Sequence, residues 1–342
     1  MSDQSRPEAE QRAGEAAALR RRSMQTLPAF REGPGFLSSG QQFWLNWIQD
    51  AVDQGRWCTH PGSGPLRAHA GLRRYFDQFL NSEIISLFFD YAPGDEEARA
   101  WTQEQIRNLV TDLPAEEASL LTANFPACHT TELPVLREAG LAVAELILGG
   151  DPRESARLLL KKYPWFNNTI LINERLPTGP ADLRCRPLRD ESEALAAADI
   201  HHEVFTESPW LNWVYGSPGY AEKHREQLVA MLPGERMWGL FQNKILRGFF
   251  YYGAEERNDF WGPLANMDFG FGRSVRGLGL APMAYKVMFD KMALDRIHFY
   301  KGGTANAAVL ALGGVMHRPL LSVFMRHSSL CPDQARFERY LR

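Results

Sequence analysis

The stretch RSVRGLGLAPM, residues 273–283, narrows the folds open to this chain more than any other segment. It follows β-rich runs and precedes an apolar pattern of helical period. Gly277 and Gly279 stand one residue apart, where an ordinary turn needs a single glycine. Glycines so spaced let a backbone approach something closely. At a helix start the first N–H groups lack partners and the helix dipole is positive, so the commonest such neighbour is a phosphate. A strand, an anion-binding turn and a helix are therefore expected here.

The segments around this turn form a defined order. LPTGPAD, residues 176–182, is the best linker in the chain. LRCRPLR after it is short and strand-like, and DESEALAAADIHHEVF and SPGYAEKHREQLVAML have helical spacing. RMWGLFQ, ILRGFFYYG and NMDFGFG follow as strands, the first two joined by a hairpin turn at Asn243-Lys244. After the glycine turn come a helix from about Ala281 to Ala293, a strand in RIHFYKG, a short helix near NAAVLAL and a last strand in LLSVFMRH. The order is β-α-α-β-β-β-α-β-α-β.

That order, with RGLGLA in its middle, resembles the GNAT acyltransferase superfamily, whose signature is Q/R-x-x-G-x-G/A between the fourth strand and the next helix. Arg276, Gly279 and Ala281 match the three positions, and Asn306 stands where the family opens its following helix. The resemblance covers roughly residues 182–328. It implies that the N–H groups of Gly277, Leu278, Gly279, Leu280 and Ala281 cradle the pyrophosphate of coenzyme A, with Arg273 and Arg276 adding charge. It implies that the strand from Phe269 onward splays from RIHFYKG to admit the pantetheine arm, and that the N–H of Phe271 polarises the thioester carbonyl. The activity implied is acyl-CoA-dependent N-acyl transfer. Acetyl-CoA or another acyl-CoA is the donor, and a small-molecule or amino-acid-like amine attacks it directly. Acyl carrier protein carries the same arm and stays open as the donor.

The proton-handling residues depart from the family pattern. The position seven residues beyond Asn306, where the family places an acidic tyrosine, is Gly313. The family's frequent base would fall near Ala265. Asp268 is close, but strand alternation turns it to the other face. His317, in the place of a family glycine, and Tyr300 are the remaining candidates; His298 alternates with Tyr300. A domain that keeps the fold as an acyl-CoA sensor or scaffold is the competing reading. Trp210, Trp213 and Tyr215 lie where the family builds its acceptor pocket.

The fold class expected is mixed α/β: a GNAT-like domain over 183–342, preceded by a mostly helical accessory domain over 36–175. Residues 1–35 form a disordered or loosely helical lead-in. The helical expectation rests on spacing such as Leu72, Tyr75, Phe76, Phe79 and Leu80, and on TELPVLREAGLAVAELILGG. A degenerate second copy of the fold is the alternative; NNTILINE is strand-like, but no glycine turn precedes a helix there. The net charge of −3 argues against broad nucleic-acid binding. The four scattered cysteines fit reduced thiols, and the polar first residues fit neither a signal nor an anchor, so a cytoplasmic protein is expected. No apolar run is long enough to span a membrane. No histidine or cysteine spacing suits a metal. An arginine- and alanine-rich composition fits a GC-rich bacterial source.

Overall fold

The fold, a computed structural model, describes residues 5–25, 48–62, 66–77, 82–164, 182–207, 215–217, 219–255, 264–331 and 333–341. The linker candidate up to Ala181, NNTILINE, Trp210 and Trp213 lie outside the described residues. The GNAT-like order expected for the second half is present element for element. It comprises β6 (Leu183–Pro187), α5 (Glu191–Thr206), α6 (Tyr220–Met231), β7 (Met237–Gln242), β8 (Ile245–Glu255), β9 (Leu264–Phe271), α7 (Leu280–Leu294), β10 (Tyr300–Thr304), α8 (Ala307–Val315) and β11 (Leu320–His327), followed by α9 (Ala335–Leu341). Asn243 and Lys244 both have positive φ, 50° and 65°, as a tight hairpin turn demands.

The first half departs from the helical expectation. It contains α1 (Ser5–Gln25), β1 (Trp57–Thr59), β2 (Ala68–Asp77), β3 (Ser82–Tyr91), α2 (Glu96–Thr111), β4 (Leu121–Pro126), α3 (Leu133–Glu138), β5 (Leu141–Gly150) and α4 (Pro152–Lys162). Leu72, Tyr75 and Phe76 lie on a strand, and LAVAELILGG is a strand rather than a helix. The physical reason is burial from both sides. IISLFFDY in β3 and most of β5 are buried residue after residue, so their apolar runs lose the alternation that marks a half-exposed strand. Asp151 caps α4, its Oδ1 accepting from the N–H groups of Arg153 and Glu154. Glu154, in the first turn, accepts from Arg157.

The described strands form one eleven-stranded sheet in the order β1-β2-β3-β4-β11-β5-β10-β9-β8-β7-β6. The sheet reads alike from its centre outward. β3 pairs parallel with β4, and β9 parallel with β10. β4 then pairs antiparallel with β11, and β10 antiparallel with β5. β5 and β11 pair antiparallel in the middle. α2 follows β3 as α7 follows β9. The first half is thus a second copy of the same unit, the alternative left open by the sequence. Each unit's last strand lies across the seam and completes the other unit.

Helices cover both faces. α4 and α7 pack over the second unit with Leu159, Met283, Met288 and Phe289, while Ala194, Ala197 and Leu228 of α5 and α6 cover its other side. In the first unit Ile106 and Leu109 of α2 and Phe337 of α9 pack on one face. Ala13 and Ala16 of α1 pack against Phe88 on the other.

The seam tolerates no extra atom at Gly149. A Cβ there would collide with the Leu321 side chain and the Tyr300 carbonyl oxygen. Gly149→Ala is expected to destabilise the chain by about 1–3 kcal/mol, read as a shift of a single denaturant transition. A variant as stable as the parent would show that the strands do not meet as described.

Candidate active site

β9 and β10 are paired only at Tyr300 with Ala265 and Lys301 with Asn266, and the ladder ends there. The Ala265 N–H donates to Phe299 O toward β10, whereas the Gly272 N–H donates to Arg247 O toward β8. Alternation along β9 therefore turns the N–H groups of Met267, Phe269 and Phe271 toward the opening gap. Phe269 N–H is taken by Asp268 Oδ1 at 2.7 Å. Past the gap, Gly277 and Gly279 have φ of +76° and +72°, a conformation that side chains resist, and nothing stands within 4 Å of where their Cβ atoms would be. The glycines are required by backbone shape, and the space beside them is open.

The start of α7 has no side-chain cap and no acidic residue in its first turn. The matching helix start in the first unit is the opposite. At α2 the Asp95 side chain accepts the Ala98 N–H, and Glu96 and Glu97 fill the first turn. Carboxylates there satisfy the dipole and repel an anion. Arg276 and Arg273 flank the open turn, but both reach Glu207 at the end of α5, at 2.6 and 3.0 Å. The Arg276 Nε–H also donates to Phe271 O at 2.6 Å. These guanidinium groups hold the Glu207 carboxyl below its usual range, Arg276 foremost.

A cavity of about 130 Å³ sits in the gap, walled by Phe205, Met267, Asp268, Phe269, Tyr285, Gly302–Asn306, Arg318 and Glu145. Asn306 reaches this wall while its Oδ1 caps α8 through the N–H groups of Ala308 and Val309. Asp268 lies on the face opposite Ala265, as alternation requires, and where the strands part its carboxylate still borders the cavity, from the α5 side. His201, fully buried, holds it by a hydrogen bond of 3.0 Å from Nε2 to Oδ2. Phe205 stacks on the His201 ring at 4.1 Å, and Tyr215 meets it edge-on at 5.1 Å.

Glu145 was missed by sequence reasoning. It comes from β5, the strand that crosses from the first unit. The signal was there: one carboxylate in an otherwise apolar ten-residue run. In the β5–β11 register Phe324 faces Glu145 and Met325 faces Val143, so Ala144 is the extra residue of a bulge beside it. Bulges re-aim side chains next to sites. The carboxylate lies over Gly303, where a Cβ would stand 2.8 Å from Oε2. Burial first, then the Asp268 charge, push its pKa from 4.5 up to about 7 against the opposing pull of Lys301.

Register-for-register, the first unit puts Phe88 at the place of Asp268, Asn124 at that of Gly303 and Ser322 at that of Glu145. Phe88 is fully buried. The two units share a fold, and the carboxylates belong to one.

The proton donors expected from sequence lie elsewhere. Tyr300 is fully buried, its hydroxyl 2.8 Å from Ser155 Oγ, and burial raises its pKa to about 12. It does not line the cavity. His317, with φ of +49°, ends α8 in the left-handed conformation and is exposed; a helix terminus explains why a glycine suits that place. His298 precedes β10 and is exposed, so it does not share the face of buried Tyr300. Among the described residues no group of three or more His, Cys, Asp or Glu side chains is arranged for a metal. None of the described helices is long and apolar enough to cross a membrane.

No family model matches the chain, and no curated relative does. Solved structures do. It is similar to a GCN5-related N-acetyltransferase from Sphaerobacter thermophilus, at 13% identity over 77% of this chain and 77% of that one, with a TM-score of 0.45. An acetyltransferase of the GNAT family from Colwellia psychrerythraea is 12% identical over 86% and 97%, at 0.42. The Salmonella typhimurium structure of yncA with its cofactor acetyl-CoA is 13% identical over 42% and 92%, at 0.35.

The Glu145 shift has a consequence for stability. Below pH 4.5 both folded and unfolded chains hold the proton. Between 4.5 and about 7 only the unfolded chain ionises, so stability is lost as pH rises through that window. Glu145→Gln, which keeps the protonated shape, is expected to melt progressively above the parent from pH 4.5 to 7, with a constant gap beyond. A gap that does not change with pH would contradict the buried carboxyl.

Proposed function

We propose that the second unit is an acyl-CoA-dependent N-acyltransferase. The observation that carries this reading is the uncapped, acid-free start of α7, reached through two left-handed glycines, at the mouth of a gap between parallel strands. A diphosphate there meets the N–H groups of Gly277 through Ala281 and the positive end of the helix. Arg276 and Arg273 turn from Glu207 to the phosphates, since two negative groups compete for the same guanidinium donors. The pantetheine arm runs along β9, beside Phe269 and Phe271. The N–H of Phe271 is aimed into the gap and serves as the hydrogen-bond donor to the thioester oxygen, where negative charge grows as the acceptor adds.

The acyl group and the acceptor nitrogen meet in the cavity. Its volume of about 130 Å³ suits a short acyl chain such as acetyl. Direct attack needs no nucleophilic side chain, because holding donor and acceptor together removes much of the entropic barrier. Acyl carrier protein would present the same arm without the adenosine diphosphate that the α7 start fits, so coenzyme A is the favoured donor.

Calorimetry with acetyl-CoA is expected to give one site per chain. Arg276→Ala should weaken binding at least tenfold, the scale of a lost charged hydrogen bond of about 1.5–3 kcal/mol. Two sites, or unchanged affinity, would overturn the assignment. A sensor would bind in the same way yet release no thiol with any amine.

Tyr300→Phe is expected to leave turnover within about threefold of the parent, because the hydroxyl serves Ser155. Its cost should appear as a stability loss of about 1 kcal/mol. A tenfold fall in turnover at unchanged stability would return Tyr300 to proton transfer.

A further inference from the structure

We propose that Glu145, carried into the second unit's cavity on the strand exchanged from the first unit, is the base that takes the proton from the acceptor nitrogen. This rests on the acyl-transfer reading of the same cavity. Three features of geometry support it. Glu145 lines the cavity together with Met267 and Phe269 of the pantetheine strand. A bulge at Ala144 sets its direction, and Gly303 alone leaves room for its carboxylate. A central, covered strand has no structural use for a lone carboxylate, whose burial is costly.

The groups facing it define its charge. Asp268 on β9 stands nearest in effect and favours the protonated form, and Lys301 on β10 opposes it. Arg318 lines the same wall but is engaged with Tyr285 Oη and Leu148 O. From the α5–α6 side come His201, bound to Asp268, and the phenols of Tyr215 and Tyr220. Burial, then the two carboxylates, hold both phenols above their ordinary range. Tyr285 is buried and likewise raised. Asp268 is already held by His201 and the Phe269 N–H.

The amine lone pair adds to the thioester carbonyl carbon and its N–H proton passes to Glu145. The C–S bond then breaks, with its electron pair leaving on sulfur. The thiolate takes a proton from solvent, and Glu145 returns its own to solvent. Amine and thioester become amide and thiol.

The test uses the full chain, acetyl-CoA and a panel of aliphatic and aromatic primary amines, with thiol release followed from pH 5.5 to 9. The parent's kcat is expected to rise with pH through a midpoint near 7. Glu145→Gln should lower kcat about 10²–10⁴-fold and lose that limb, with the acetyl-CoA Kd from calorimetry within twofold of the parent. Gly303→Ala, which pushes the carboxylate aside without removing it, should lower kcat at least tenfold, again with acetyl-CoA bound normally. Glu145→Gln turning over within threefold of the parent on the same pH profile would overturn the assignment. So would a parent that binds acetyl-CoA but releases no thiol with any amine. A parent that does not bind acetyl-CoA would remove the acyl-transfer reading itself, and Glu145's role with it; the binding measurement tells that failure from the first two.

Discussion

The antiparallel pairing of β5 with β11 is the contact on which the rest of the structure depends. Each strand ends one unit and serves as a neighbour to the other unit's β4 or β10. Neither unit's parallel strand pair has a complete inner edge without its counterpart. Unpaired backbone groups there would be costly once buried, so the two units fold as one sheet. The exchange also has a chemical effect. It brings a side chain from residue 145 to a wall otherwise made from residues 204–318.

The two units share a strand topology, and their charges differ. One helix start carries Asp95, Glu96 and Glu97, which cap it and repel anions. The other presents bare N–H groups behind two left-handed glycines. At the matching place one unit has a buried phenylalanine, Phe88; the other holds Asp268 and Glu145 around a cavity. The same backbone thus carries closed packing in the first unit and an open cavity in the second.

Much of the second unit was legible because its turns carry glycine or asparagine at defined places. Gly277, Gly279 and the Asn243-Lys244 hairpin have local chemistry that neighbours cannot mask. The first unit was harder because β3 and β5 are covered on both sides. A run such as ISLFF is equally apolar as a strand and as a buried helix segment, and its period decides nothing. Glu145 escaped for another reason. Its role depends on strand exchange, a long-range event with no local signature, although its charge in an apolar run was visible. Asp268 was passed over because alternation puts it on the face opposite Ala265, which it does, yet the gap where β9 parts from β10 opens to that face as well. Tyr300 was drawn from its place on the strand beside the gap and His317 from the family pattern, and their surroundings, a hydroxyl partner and a helix end, give them structural work.

Amide hydrogen exchange with and without acetyl-CoA tests the central claim most directly, that one unit alone holds the donor and that the exchanged strand borders it. The account predicts added protection at residues 267–281 and 302–309, together with 143–147 of β5, and none at residues 92–98 of the first unit. Protection at 92–98, or an unchanged 267–281, would contradict it.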